Sequence, residues 1–145
     1  MIDRKAEGGT APVRSLDHGF VRTTPEQVFE VLRDPAGYPA WWPGAKALGH
    51  GRMSLPGMPP VRLEPEGVRP GTGLRLRVSG ARGDALGGHL EWYVEAFEEG
   101  SVVSCIADLR PRRPWSARRV LRMRAGFRSA LVELRERRER REGRP

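Results

Sequence analysis

Cysteine and histidine are scarce in this chain, which narrows the chemistry it can perform. Cys105 is the single cysteine, so an internal disulfide cannot form. The three histidines, His18, His50 and His89, lie far apart, and with one cysteine they do not make the closely spaced ligand pairs of a structural zinc site. We therefore expect no metal and no other cofactor.

Long apolar runs are also missing. No stretch approaches the roughly 20 consecutive apolar residues that a membrane-spanning helix requires. The first residues, MIDRKAEGGTAPVR, contain no apolar segment typical of a secretion signal. The sequence therefore predicts a cytoplasmic protein.

The size of the chain predicts one domain. It has 145 residues, of which 38% are hydrophobic, enough to fill one core. Residues 1–14 are polar, contain glycine and proline and show no periodicity, which predicts a flexible leader. We assign residues 15–142 to a single domain.

Positive charge is concentrated near the C-terminus. The net charge is +8, yet residues 110–145 alone carry fourteen arginines and four glutamates, and the rest of the chain is slightly acidic. The whole chain has only two lysines, an arginine bias that a GC-rich genome produces by codon usage alone. Phe127 is the only aromatic residue in 116–142, so base stacking is not supported and nucleic acid is not an expected partner. Peripheral contact with an anionic membrane stays open.

Local patterns predict a strand and two short helices near the N-terminus. Residues Leu16–Arg22 alternate as a first strand. Thr24 can cap the helix that follows, Pro25 suits its first position, and Gln27 completes a capping box. The next segment, PAGYPAWWPG at 35–44, has room for only a short helical turn between its prolines.

An antiparallel sheet is predicted for the middle of the chain. The six expected strands are 16–22, a weak one at 45–51, 61–66, 74–79, 89–97 and 102–109. Alternation within 74–79 and 89–97 indicates one buried face, and Arg75 and Arg77 are predicted to pair with Glu91 and Glu95 on the other. Residues Met53–Pro60 interrupt the pattern as a loop rich in proline, glycine and methionine.

A long amphipathic helix is predicted to end the chain. Ser116 can cap it, and it runs to about Glu142. Apolar residues recur on one side at spacings of three and four, namely Val120, Met123, Phe127, Leu131 and Leu134. This stripe is predicted to face inward while the arginines face water.

Two motifs and the order of these elements resemble a known family. The segment TTPEQVFEVLRDP at 23–35, followed by YPAWWP at 38–43, resembles the opening of the polyketide cyclase/dehydrase-like group of the START-like (SRPBCC, Bet v 1-like) superfamily. GHLEW at 88–92 is similar to the Gly-x-x-x-Trp strand found near the last hairpin of this group. The resemblance covers about residues 15–140.

This resemblance implies an α+β helix-grip fold. In that fold a curved antiparallel sheet of six to seven strands wraps around a long C-terminal helix, with two short helices after strand 1. The family usually has seven strands, so either one strand around residues 51–60 escapes the pattern or the sheet is trimmed. The resemblance further implies an apolar cavity between the sheet and the C-terminal helix for a lipid, a polyketide or another hydrophobic molecule.

Ten residues are candidates for lining such a cavity. They are Tyr38, Trp41, Trp42, Met53, Met58, Leu76, His89, Trp92, Met123 and Phe127. Aromatic faces offer a flat ligand a large contact area, and the methionines of 53–58 can form an adaptable lid. The alternative for Trp41 and Trp42 is that they anchor the short helix, and for Trp92 it is packing in the core. For the methionines the alternative is an ordinary surface loop. His89 or Tyr93 would supply a polar group that orients the ligand.

Evidence for catalysis is weak. His18 and His89 are the only candidate general bases in the predicted sheet, and a lone histidine on a strand is more often a hydrogen-bonded structural residue. Cys105 alternates with Val103 and Ala107, which predicts a buried and inert thiol. Residue spacing supports no nucleophilic triad.

Three functions remain open on the sequence alone. The leading hypothesis is a non-catalytic protein, monomeric or homodimeric, that binds a hydrophobic small molecule. The second is a polyketide aromatase/cyclase in which a histidine or arginine assists enolisation. The third is an interaction protein whose arginine-rich C-terminal helix docks on an acidic partner or a membrane surface.

Overall fold

The computed structural model describes residues 11–80 and 86–142, with side chains up to residue 136. In chain order the elements are β1 (Val13–Val21), α1 (Pro25–Leu32), a 3-10 turn (Pro35–Gly37), α2 (Tyr38–Trp41), β2 (Lys46–Gly49), β3 (Arg52–Ser54), β4 (Val61–Arg69), β5 (Gly73–Gly80), β6 (Leu86–Phe97), β7 (Gly100–Pro111) and α3 (Ala117–Glu142). None of the helices described is long and apolar enough to cross a membrane.

The strands form one antiparallel sheet that holds α3 against its inner face. Its order is β1-β7-β6-β5-β4-β3-β2, so β1 and β2 lie at opposite edges, with α1 and α2 between them in the chain. Side chains alternate between the two faces, as in β6, where Leu90, Trp92 and Val94 are buried while Tyr93 and Glu95 are exposed. This architecture confirms the α+β helix-grip fold.

The seventh strand is β3, which lies in the segment predicted as a loop. Met53 and Ser54 therefore belong to the sheet, and the alternative of a trimmed sheet is wrong. β3 has only three residues and meets β4 through the single pair Met53 and Val61. A strand of this length is too short to produce an alternating pattern.

The start of the chain also differs slightly from the prediction. β1 begins at Val13, so the last two residues of the predicted leader, 13 and 14, are part of the sheet. Residues 1–10 lie outside the described part of the chain.

Helix starts follow the capping residues that the sequence indicated. The Thr24 hydroxyl accepts a hydrogen bond from the Gln27 backbone N–H at 3.2 Å, and Pro25 occupies the first position of α1. At the start of α3, the Ser116 hydroxyl accepts from the Arg119 N–H at 3.1 Å. Each cap satisfies an amide that the helix itself leaves free.

Ion pairs cover the outer face of the sheet, the face turned away from α3. Arg75 lies 3.7 Å from Glu91, as predicted, and 3.6 Å from Glu66. The predicted partner of Arg77 is wrong, because Arg77 pairs at 2.6 Å with Glu64 on β4. Glu64 lies directly opposite Arg77 in the register of β4 and β5, a pairing that a single strand's alternation does not reveal.

The inward stripe of α3 fills the space above the sheet. Met123, Phe127, Ala130, Leu131 and Leu134 are all buried, in agreement with the predicted periodicity. At the other side of the core, Pro56 and Gly57 lie directly on α3, and their neighbours Leu55 and Met58 are buried. The segment expected to act as an adaptable lid is therefore packed against the helix.

Gly57 permits this contact because it has no side chain. Its φ is +76°, and a Cβ there would lie 2.7 Å from the Cα of Met123 and closer still to its nitrogen. Gly51 has nearly the same φ, +75°, but nothing lies within 4 Å of its Cβ position. The two glycines thus share backbone conformation and differ only in steric surroundings.

We predict that Gly57→Ala destabilises the fold far more than Gly51→Ala. The left-handed backbone alone costs alanine about 1 kcal/mol, while displacing α3 adds about 2 kcal/mol at Gly57 only. Equilibrium urea unfolding measures both free energies of unfolding. Equal losses in the two variants would show that residues 55–58 do not support α3.

Candidate ligand-binding site

An aromatic cluster occupies the interior between the sheet, α2 and α3. The Tyr38 ring lies 5.4 Å from Trp41, 5.8 Å from Trp42 and 6.3 Å from Trp92, measured between ring centroids. Phe127 on α3 joins it with its ring 5.4 Å from that of Trp42. All five side chains are buried, and edge-to-face contacts of this kind add stability beyond the area they bury.

Two polar groups of the cluster are satisfied by backbone carbonyls. The Tyr38 hydroxyl donates to the carbonyl of Leu32 at 2.6 Å, which ties α2 to the end of α1. The Trp42 indole N–H donates to the carbonyl of Gly126 at 3.1 Å, which ties α2 to α3. Trp42 is therefore an anchor of the short helix, the packing alternative that the sequence left open.

Two other indole N–H groups in this cluster lack an acceptor. Within the described part of the chain, Nε1 of Trp41 and Nε1 of Trp92 are buried and form no hydrogen bond. Burial raises the pKa of the Tyr38 hydroxyl well above its usual value, and the nearby Cys105 adds to this; the Trp92 N–H opposes it without reaching hydrogen-bond geometry. A buried donor without a partner costs about 1–3 kcal/mol, so both groups would gain from an acceptor.

A pocket of about 500 Å³ opens beside this cluster, between the 3-10 turn and the β2–β4 edge of the sheet. Its lining residues are Arg33, Asp34, Pro35, Ala36, Pro39, Ala47, Gly49, Gly51, Arg52, Met53, Leu63 and Pro65. Most of these are apolar, and Met53 and Leu63 belong to the buried core. The volume falls within the range of small-molecule sites, roughly 300–1,000 Å³.

Charged residues of this pocket are partly committed to local contacts. The Arg52 guanidinium donates to the carbonyls of Gly49 and Leu48 at 3.2 and 3.1 Å, so it holds the turn between β2 and β3. Arg33 lies 3.3 Å from Glu30 one turn back on α1. The site is therefore an apolar hollow with a charged margin of Arg33, Asp34 and Arg52.

The structure divides the predicted lining residues into two groups. Met53 lines the pocket. The remaining apolar candidates are buried in the core, namely Tyr38, Trp41, Trp42, Met58, Leu76, Trp92, Met123 and Phe127. The five aromatic rings among them contact one another, and whether any of these residues meets a ligand stays a prediction.

The predicted polar candidates lie on the outer face of the sheet. His18 is exposed on β1. His89 is half-buried, and its Nε2 lies 2.9 Å from a carboxylate oxygen of Glu66. Tyr93 is exposed and donates to Glu91 at 2.6 Å. None of these three lines the described pocket, so none is placed to act on a ligand there.

Several lining residues were not found from the sequence. Pro35 and Pro39 belong to the segment in which the sequence predicts only a short helical turn, and Leu63 and Pro65 belong to the predicted strand 61–66. A usable signal was the spacing of prolines in DPAGYP at 34–39, because such a segment exposes rigid apolar rings without donors. The lining from β2 and β4 depends on contacts distant in sequence, which no local pattern contains.

Neither a metal-binding cluster nor a reactive thiol is found among the described residues. The described residues contain no cluster of three or more histidine, cysteine or acidic side chains that could hold a metal ion. Cys105 is buried in β7, where burial and the Asp17 carboxylate both raise the pKa of its thiol. The thiol therefore stays protonated at neutral pH.

Comparisons with solved structures place the fold in a known class. The Zhui aromatase/cyclase from Streptomyces sp. R1128 is 16% identical, with 89% of this chain and 94% of that chain covered and a TM-score of 0.68. StfQ, a di-domain aromatase/cyclase of the steffimycin biosynthetic pathway, is 16% identical over 98% of this chain and 56% of its own, with a TM-score of 0.67. DynU16, a protein of the dynemicin biosynthetic locus, is 18% identical over 88% and 47%, with a TM-score of 0.62.

These matches define the class by its fold. The chain shares the helix-grip fold of these structures, two of which are aromatase/cyclases. It spans about half the length of DynU16 and of StfQ. No family model and no curated protein matches the sequence.

We predict that stability falls as pH rises above about 9, the ordinary pKa of a cysteine thiol. Above pH 9 the unfolded chain releases the Cys105 proton, whereas the folded protein keeps it until the higher folded pKa is reached. The free energy of unfolding therefore has its full value below pH 9 and decreases as the pH rises toward the folded pKa. One such group lowers the free energy of unfolding by at most about 1.4 kcal/mol per pH unit.

Cys105→Ala should remove the part of this slope that begins near pH 9. Tyr38, whose pKa is also raised by burial, still contributes above about pH 10 in both proteins. Urea unfolding at a series of pH values measures the two slopes. Identical slopes between pH 9 and 10 would contradict the assignment.

Proposed function

We propose that this chain binds a hydrophobic small molecule in the pocket between the 3-10 turn and β2–β4, without catalysing a reaction. The observation that carries the proposal is the pocket of about 500 Å³ with its largely apolar lining. Contact with these walls supplies affinity at about 25 cal/mol for each Å² of apolar surface removed from water. The aromatase/cyclase structures with the same fold support a ligand-binding role.

The unsatisfied indoles favour a ligand that carries a hydrogen-bond acceptor. Trp41 lies on α2 together with Pro39, a lining residue. Met53 lines the pocket and is part of the same buried core as Trp41. Because methionine side chains repack easily, a ligand that displaces Met53 would enter the buried core that contains Trp41, where a carbonyl or ether oxygen could satisfy an indole N–H. Aromatic ketones and related polyketides have this combination of features.

Ala47→Trp should weaken binding, since Ala47 is exposed on the edge strand β2 and lines the pocket. An indole that covers about 60 Å² of the lining at ~25 cal/mol per Å² costs about 1.5 kcal/mol, roughly tenfold in affinity. Titration with the fluorescent probe anilinonaphthalene sulfonate measures the dissociation constant.

Leu48→Trp is the matched control for this experiment. Leu48 is the next residue of β2, is also exposed, and does not line the pocket. The affinity of Leu48→Trp for the probe should remain within about twofold of that of the parent protein, a difference of about 0.4 kcal/mol. Equal weakening in both variants, or in neither, would show that the probe binds elsewhere. Native mass spectrometry followed by organic extraction then identifies any molecule that co-purifies.

Catalysis is the second candidate function, because Zhui and StfQ are described as aromatase/cyclases. Any cyclisation in this chain would take place in the pocket, where no histidine of the described residues is found. His18→Ala and His89→Ala should therefore leave product formation from a poly-β-ketone substrate unchanged, whereas Ala47→Trp should reduce it.

Product analysis by mass spectrometry after incubation with a polyketide synthase tests this candidate. Formation of the same products without the chain would leave binding as the function. Loss of product in His89→Ala alone would show that the reaction uses the outer face of the sheet, contrary to the assignment of the pocket.

A further inference from the structure

We propose that a second copy of this chain docks on the outer stripe of α3, forming a two-fold symmetric pair of antiparallel helices. The outer stripe comprises Arg118, Leu121, Ala125, Ser129, Val132 and Glu136, all exposed. Its members recur every three or four residues, on the side of the helix opposite the buried Met123 and Phe127. The proposal does not depend on the ligand or on the proposed function.

The stripe exposes large apolar side chains to water, where they do not stabilise the isolated chain. Leu121 is 65% exposed and Val132 is 47% exposed, on a helix whose other outward residues are largely charged. Next to Val132 the surface forms a depression of about 370 Å³, lined by Pro43, Ala125, Arg128, Ser129, Val132 and Glu133. An exposed leucine and an open hollow lined partly by apolar atoms therefore lie about two to three turns apart on the same helix face.

A two-fold axis makes these features complementary. Placed between Ala125 and Ser129, the axis brings each alanine opposite the serine of the other copy in an antiparallel pair. The same operation sets Leu121 of each copy opposite Val132 and its depression. Small residues at the crossing point allow two helices to approach closely, and an isologous contact of this kind closes as a dimer without further growth.

The charged residues at the two ends of the stripe are also complementary under this two-fold axis. The axis sets Arg118 of each copy opposite Glu136 of the other, which yields two opposite-charge contacts at the ends of the stripe. Neither residue takes part in a hydrogen bond or ion pair among the described residues. A like-charge contact would be expected at random on a helix with so many arginines, so this complementarity favours a second copy over an acidic partner.

Three arginines beside the stripe have partners within the chain. Arg124 donates to the carbonyl of Arg14 at 3.0 Å, Arg128 lies 4.0 Å from Asp17, and Arg119 lies over the ring of Trp115 at 5.4 Å. These contacts fasten the flanks of α3 to β1 and to the chain before the helix. Arg118 and Glu136 of the outer stripe have no such contact among the described residues and remain available to another molecule.

The expected dimer is weak. Residues 118–136 span about 27 Å at 1.5 Å per residue, so the interface lies at the small end of specific protein contacts, with a dissociation constant on the order of 10 µM. Sedimentation equilibrium from about 2 to 200 µM brackets this value. A monomer throughout that range would overturn the proposal.

Leu121→Ser tests the apolar part of the interface, with Leu16→Ser as the matched control. Leu121 and Leu16 are 65% and 62% exposed, but Leu16 lies on β1, on the outer face of the sheet. Leu121→Ser should raise the dissociation constant at least about tenfold, equivalent to 1.4 kcal/mol, while Leu16→Ser should leave it unchanged. The reverse result would assign the dimer to the outer face of the sheet and overturn the proposal.

Charge reversal tests the register. Arg118→Glu and Glu136→Arg should each weaken the dimer about threefold or more, because each places like charges opposite one another. The double variant carries both changes on one chain and should restore the original affinity. Failure of the double variant to recover would reject the antiparallel pairing, and circular dichroism checks that α3 stays folded in each protein.

An anionic partner is the competing occupant. Sedimentation with phosphatidylserine vesicles and binding to single-stranded RNA are measured in parallel on the same variants. A monomer that binds either one, with loss of that binding in both Leu121→Ser and Arg118→Glu, would assign the stripe to that partner and overturn the dimer.

Discussion

The packing of α3 against Trp42 and residues 56–57 is the contact on which the rest of the structure depends. Trp42 donates from its indole to the Gly126 carbonyl, and Gly57 lies against the backbone of Met123. Pro56 completes the contact, since a Cβ on Gly126 would lie 2.8 Å from the Cβ of Pro56. Gly57 in the loop and Gly126 on the helix therefore allow the two segments to approach more closely than side chains would permit.

This contact decides where the interior has space. Because α3 is held close to Trp42, the rings of Tyr38, Trp92 and Phe127 fill the volume between the sheet and the middle of the helix. The pocket of about 500 Å³ lies at the edge, where the prolines of the 3-10 turn and α2 face β2–β4. Rigid proline rings cannot collapse into the hollow as flexible side chains would, which explains how a pocket persists beside a densely packed aromatic cluster.

Local features were predictable from the sequence, and distant contacts were not. Thr24, Pro25 and Ser116 mark helix starts because a cap acts on amides two or three residues away. Alternation in β6 also indicated that His89 shares a face with Glu91 and not with Trp92, a signal that argued against its use in an inner cavity. The helix-grip fold follows from the order of such elements.

The pocket and the short strand β3 depend on pairings that sequence periodicity does not encode. Met53 is a strand residue only because Val61 lies opposite it, and it lines a pocket only because Pro35 and Pro39 approach from the other side. Composition likewise could not separate lining from packing for Trp41 and Trp42. Their hydrogen bonds distinguish them, since one indole has an acceptor in α3 and the other has none.

Residues 39–43, in α2 and directly after it, connect the pocket to the outer face of α3. Pro39 lines the pocket, Trp42 follows the helix and binds Gly126, and Pro43 borders the depression beside Val132. A molecule that covers this depression would restrain the same short helix that contributes to the pocket wall. Both surfaces therefore depend on the hydrogen bonds of Tyr38 and Trp42, which hold this short segment against α1 and α3.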